Sequence, residues 1–202
     1  MTGLLDCYLP LFKKTIRICH QQSDILDYEN FRDVIISQLE NSMQNATKLD
    51  IAQCEKDAAK LAVISWLDET VLCSHVAWRN EWQSEPLQVK YLGTTIAGKQ
   101  FFIQLKALPA RAHQARAVFL FCLQNNFHGQ YNTARDLNNL TELIIEQRNL
   151  CLPSGWQVWP NDSIVTIEAL RVPLKRNNNI NTPLILTILS AFIYIFSLFI
   201  LQ

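Results

Sequence analysis

Apolar residues recur at steps of three and four along most of this chain, a spacing that predicts amphipathic α-helices. The first apolar stripe predicts a helix from Leu4 to about His20. A second predicted helix follows Asp27, whose side chain suits an N-cap, and its stripe ends in the polar run NSMQNATK. A third and longer helix is predicted from near Asp50 to about Trp78.

The helical pattern resumes after a turn-like stretch that ends at Gly98. The runs FFIQLKAL and ARAHQARAVFLFCLQ predict two helices separated by Pro109, because proline breaks a helix interior. A last long helix is predicted from Thr133 to Leu150. Residues 163–172 alternate apolar and polar side chains, but a single strand has no partner here, so we expect an extended connector. The pattern as a whole predicts an all-α domain.

The C-terminal segment from Pro183 to Leu201 reads PLILTILSAFIYIFSLFIL and contains no charge. A helix of this length, at about 1.5 Å per residue, spans roughly 28 Å, close to the hydrocarbon thickness of a bilayer. A buried core helix is the alternative, but helices that are apolar all round are uncommon at a chain end. We therefore expect one transmembrane helix over 183–201 that acts as a tail anchor, a linker over 173–182 and a helical domain over 1–172.

Basic residues lie on one side of the predicted anchor. Lys175 and Arg176 precede it and no basic residue follows it, so the positive-inside bias predicts that the large N-terminal domain stays in the cytosol. The anchor also carries small or hydroxylated residues that allow two helices to approach closely, and these form a candidate dimer face: Thr187, Ser190, Ala191 and Ser197.

The composition argues against several classes of function. The 18 basic and 18 acidic side chains balance, so nothing favours a nucleic-acid partner. The six cysteines are scattered, without a C-x-x-C pair or zinc-type spacing, and in a reducing cytosol we expect them to be small core residues. The four histidines show no ligand spacing either. We therefore predict no metal site, no cofactor and no catalytic residue.

The predicted third helix is apolar nearly all round, yet it contains the acidic pair Asp68 and Glu69. A buried carboxylate without a partner is costly, so these acids are either satisfied internally or border a cleft. Internal partners could be N–H donors or a basic side chain, with Arg79, Arg111 and Arg116 as candidates. Adjacent helical residues point about 100° apart, so the pair cannot be the facing acid and base of a hydrolase.

Two tryptophans mark a further candidate surface. Trp156 and Trp159 lie in LPSGWQVWP, a loop punctuated by proline and glycine near the predicted membrane. An amphipathic ring there could contact a partner or the headgroup region, although most tryptophans of helical bundles are buried.

Several sequence blocks together point to a family. In order along the chain they are AVISWLDETVL (62–72), Trp78 and Trp82, Pro86 with Leu87, GKQFFIQL (98–105) and FLFCLQNNFHGQY (119–131). With a C-terminal anchor, this arrangement resembles the DotU/TssL family. Its members are inner-membrane components of type VI secretion systems and of Dot/Icm type IVB systems, where the protein is also called IcmH.

The resemblance implies a fold and a set of partners. The fold would be a cytosolic hook of two small three-helix bundles, tethered by one C-terminal transmembrane helix that pairs in a homodimer. The partners would be a large inner-membrane protein of the IcmF/TssM type and cytoplasmic secretion components of the baseplate type. By motif, Asp68 and Glu69 would border the cleft where such components dock. The chain departs from the family pattern at Asn126, where a glycine often stands, so we expect either a tighter turn or an asparagine held in the left-handed region.

Two functional hypotheses follow from the sequence. The first is a non-enzymatic assembly component of a secretion-system membrane complex, located in the bacterial inner membrane with its domain in the cytoplasm. The alternative is a tail-anchored membrane enzyme or regulator of helical fold, which should have a deep pocket with convergent polar groups. The sequence leaves open whether the system is type VI or type IVB.

Overall fold

Every regular element in the computed structural model is an α-helix over the residues it describes, which are 3–20, 27–131 and 133–152. The helices are α1 Leu4–His20, α2 Tyr28–Thr47, α3 Gln53–Cys73, α4 Arg79–Ser84, α5 Leu87–Leu92, α6 Ala97–Ala107, α7 His113–Gln124 and α8 Ala134–Cys151. The all-α prediction is therefore confirmed for this part of the chain.

Helix ends that depend on local side chains lie where the sequence predicts them. Asp27 accepts a hydrogen bond from the backbone N–H of Asn30 at 2.9 Å and caps α2. Thr133 caps α8 and forms a reciprocal capping box with Asp136. These contacts satisfy backbone donors that the first turn of a helix leaves without partners.

The region between α3 and α6 differs from the prediction. α3 ends at Cys73 rather than near Trp78, because Ser74 adopts an extended conformation with ψ 167°. The stretch predicted as turn-like contains two helices, α4 and α5, of 6 residues each. Pro86 lies between them, and Gly93 ends α5 with φ +63°. Elements this short carry too little periodicity to stand out in the sequence.

Helix α3 is the centre of the fold, since it contacts six other helices: α1, α2, α4, α5, α6 and α7. Residues 62–68 within it are all buried. Against α1, the rings of Phe12 and Trp66 meet edge to face with centroids 4.6 Å apart. On another side of the core, Phe101 of α6 packs on Phe119 at 4.6 Å and on Phe127 at 4.2 Å. Each such buried aromatic side chain contributes on the order of 2 kcal/mol by leaving water.

The cysteines follow the prediction only in part. Cys7 and Cys122 are buried, whereas Cys54 and Cys73 are exposed, so the expectation of core cysteines is wrong for that second pair. Cys54 lies in the first turn of α3 and Cys73 at its last residue, where the helix emerges from the core.

Several predicted features lie outside the described residues: the connector over 163–172, Trp156, Trp159, and the membrane helix over 183–201 with Thr187, Ser190, Ala191 and Ser197. Within the described ranges, none of the helices combines the length and apolar character that a membrane crossing requires. The division into two three-helix bundles stays a prediction.

Candidate functional site

Asp68 fastens α4 and α5 to the central helix. Its side chain is buried, with the residue 2% exposed. Oδ1 accepts hydrogen bonds from the indole N–H of Trp82 and the backbone N–H of Leu87, both at 3.0 Å. Oδ2 accepts one from the backbone N–H of Gln88 at 2.8 Å. The carboxylate therefore has three N–H donors from two other helices.

The position of Asp68 compensates for a missing cap on α5. The residue before this helix is Pro86, which has no side-chain acceptor for the free backbone donors of the first turn. Asp68 accepts from the first two of those donors and also places a negative charge at the positive end of the helix. Burial raises the pKa of the Asp68 carboxyl, while the N–H groups of Gln88, Leu87 and Trp82 act in the opposite direction.

Glu69 fastens the loop between α7 and α8 in a similar way. Its Oε1 accepts the backbone N–H of His128 at 2.7 Å, and its Oε2 accepts that of Gly129 at 2.8 Å. The imidazole Nδ1 of His128 lies 3.8 Å from Oε1, an ion pair when the histidine is protonated. Burial raises the pKa of the Glu69 carboxyl, and the two backbone donors partly offset the effect. The side chain nonetheless keeps 22% of its surface exposed.

The loop held by Glu69 uses two residues with positive φ. Asn126 has φ +63°, the left-handed one of the two alternatives that the sequence left open. Gly129 has φ +56°, and a Cβ there would lie 2.7 Å from Cε2 of Phe102 and 2.9 Å from the carbonyl oxygen of Gly98. Glycine is therefore required at residue 129 both by conformation and by space.

A cleft of about 500 Å³ opens beside the acidic pair, and we call it the acid-lined cleft. Its lining is Ser65, Asp68, Glu69, Leu72, Cys73, Gln88, Thr95, Ala97, Gly98, His128, Gly129, Tyr131 and Leu137. This set contains two carboxylates and neither lysine nor arginine. Leu137 on its wall is 44% exposed. The cleft thus combines negative charge with apolar surface, which suits a basic side chain that has an aliphatic stem.

A second cavity of about 370 Å³ lies on another side of Glu69. Its lining includes Trp66, Cys73 and His75 together with Asn125 and Asn126. Glu69 and Cys73 border both spaces, so they lie on the wall between them.

None of the three arginines named as possible internal partners pairs with the acids. Arg79 and Arg111 are exposed, and Arg116 donates instead to Gln147 and to the carbonyl of Leu108. Both acids are instead paired with N–H donors, the other kind of internal partner that the sequence allowed.

The positive charge of Arg32 lowers the pKa of the Asp68 carboxyl, although burial raises it more strongly. Its guanidinium lies 5.3 Å from the centroid of the Trp82 ring and 3.3 Å from Glu85. Neither the effect of Arg32 nor the hydrogen bonds of Glu69 to the loop was predicted from the sequence. The NFHGQY block was the only signal for that loop.

Within residues 3–20, 27–131 and 133–152, no group of three or more His, Cys, Asp or Glu side chains is placed to hold a metal ion. The carboxylate oxygens of Asp68 and Glu69 all accept hydrogen bonds from N–H donors, so neither acid is held free as a base for the cleft.

Comparison with known proteins identifies the family. The family model described as type VI secretion system protein DotU matches residues 3–201. No curated protein matches the chain.

Three solved structures share the fold. The cytoplasmic domain of TssL from Acinetobacter baumannii is 27% identical and superposes with a TM-score of 0.68, over 75% of this chain and 98% of that one. SciP/TssL from enteroaggregative Escherichia coli 042 is 20% identical with a TM-score of 0.61, over 72% and 88%. TssL from Vibrio cholerae is 21% identical with a TM-score of 0.60, over 73% and 94%. At such low identity the last two establish similarity of fold alone.

Proposed function

The chain belongs to the DotU family of type VI secretion system proteins, and on that premise we propose that it is a non-enzymatic assembly component of the inner-membrane complex. It anchors through 183–201 as a single-pass protein, keeps its helical domain in the cytoplasm and pairs through the anchor. It joins an IcmF/TssM-type inner-membrane protein and receives cytoplasmic components of the secretion system. The hook of two three-helix bundles belongs to the same proposal.

The acid-lined cleft is the docking site in this proposal. The observation that carries it is a space of about 500 Å³ whose lining among the described residues contains two carboxylates and no basic side chain other than His128. Lysine or arginine side chains of a cytoplasmic partner would find opposite charge and an apolar wall there. Asp68 acts mainly by holding α4 and α5, because it is buried under three donors, while Glu69 keeps part of its surface exposed.

A cleft variant that breaks no internal hydrogen bond tests docking. Thr95 is exposed on the cleft wall, so Thr95→Lys adds a positive charge there and leaves the bonds of Asp68 and Glu69 intact. We expect weaker co-precipitation of cytoplasmic secretion components and reduced type VI secretion, because like charges then face each other.

Asn41→Lys provides the matched control, since it adds the same charge on the exposed surface of α2. Both variants should have the melting temperature of the wild type. If Thr95→Lys co-precipitates the components as well as Asn41→Lys does, docking lies elsewhere on the domain.

A further inference from the structure

Arg116 of α7 is a buried cation whose partners among the described residues are all neutral. It is 5% exposed. One Nη donates to the side-chain oxygen of Gln147. The other donates to the carbonyl of Leu108 at 3.0 Å and, more weakly, to that of Pro109 at 3.4 Å. Within the described part of the chain, the Nε–H has no acceptor.

The charge of this guanidinium is not neutralised by the residues that the structure describes, where no carboxylate lies within ion-pair distance of it. Arginine stays protonated in proteins and has five N–H donors, so three acceptors leave at least two donors unused. Buried charges are normally paired because desolvation is costly. Gln147, itself buried, occupies the place where a glutamate would complete an ion pair.

A cavity of about 390 Å³ adjoins Arg116. Its walls are about half apolar, with Leu105, Leu108 and Leu143 among the lining residues, and Lys106 adds a second cation. Glu146 also lines it, so Arg116 and Lys106 against Glu146 leave one net positive charge, which matches a single carboxylate better than a doubly charged phosphate. Leu150 at the same cavity is 45% exposed and continues the apolar wall outward.

We propose that this cavity is a second recognition site, which takes an acidic side chain of a protein partner flanked by aliphatic residues. The carboxylate supplies the negative charge that Arg116 lacks, and the aliphatic neighbours cover the leucine wall. The site is separate from the acid-lined cleft, shares no lining residue with it and has the opposite charge preference. Its failure would leave docking at the acid-lined cleft untouched.

Two capped tripeptides test the charge requirement on the wild-type full chain in detergent micelles. One has the sequence leucine, glutamate, leucine, and the other replaces glutamate by glutamine. The arginine Nε–H signals of ¹⁵N-labelled protein report binding at Arg116 directly. We expect the acidic peptide to bind about tenfold more tightly than the amide, since hydrogen bonds to charged groups are the stronger ones.

A variant that completes the ion pair internally tests the site itself. Gln147→Glu places a carboxylate against Arg116, so the variant should fold and resist denaturant better than the wild type does. Its affinity for the acidic peptide should fall by about tenfold or more. Gln44→Glu makes the same charge change on the exposed surface of α2 and should bind as the wild type does. Equal binding of both peptides, or wild-type binding by Gln147→Glu, would overturn the proposal. Displacement of the peptide by equimolar inorganic phosphate would also overturn it.

Discussion

Replacement of Asp68 by alanine should destabilise the whole domain. The substitution leaves the indole N–H of Trp82 and the backbone N–H of Leu87 buried without an acceptor, and it also removes the acceptor of Gln88. Each buried donor left without a partner costs about 1 to 3 kcal/mol, so the first two together cost about 2 to 6 kcal/mol. Burial of the ionised carboxylate is itself unfavourable, as its raised pKa indicates, so its removal offsets part of this cost. The net loss of unfolding free energy should therefore be about 2 to 4 kcal/mol.

A loss of that size is large against the total stability of about 5 to 15 kcal/mol that a typical domain has. Thermal unfolding of the full chain in detergent should show a melting point lower by roughly 4 to 16 °C. Asp33→Ala is the matched control, since Asp33 is exposed on α2 and should melt as the wild type does. If the Asp68→Ala protein melts together with that control, the carboxylate does not hold α4 and α5 in place.

The remaining predictions concern the anchor, its pairing and the Glu69 carboxyl. Ile193→Arg should release the protein from membranes in fractionation, because charge at the bilayer centre costs about 2.5 to 3.5 kcal/mol, and retention without partner proteins would argue against the anchor. Replacement of both Ser190 and Ala191 by leucine should weaken dimers in a membrane two-hybrid assay, and unchanged dimerisation would show that the contact lies elsewhere. For Glu69, the folded pKa is raised, so the native state binds more protons than the unfolded chain above the ordinary value of 4.5. The unfolding free energy of the wild type relative to Glu69→Gln should therefore fall as the pH rises from about 4 to about 7, and a rise in urea titrations would contradict this sign.

Helices whose signals are local could be predicted from the sequence. The cap at Asp27, the cap at Thr133 and the apolar stripe of α1 each depend on residues within one or two turns. The same holds for the left-handed Asn126, because asparagine tolerates that conformation better than most residues do.

The contacts that build the candidate site could not be predicted in the same way. Glu69 reaches donors 59 and 60 residues away in the sequence, and Asp68 reaches donors 14, 19 and 20 residues away on two helices too short to recognise. Sequence spacing identified the acids as unusual but not their partners, because only the packing of α3 against its neighbours brings those N–H groups together. The suggestion of arginine partners is wrong for the same reason.

Photo-crosslinking in the parent bacterium tests the central claim most directly. A photoreactive amino acid at Thr95, on the wall of the acid-lined cleft, should form a covalent adduct with a cytoplasmic component of the type VI system during active secretion. The same probe at Asn41, on the exposed surface of α2, should not form that adduct. An adduct from Asn41 but none from Thr95 would contradict docking at the cleft.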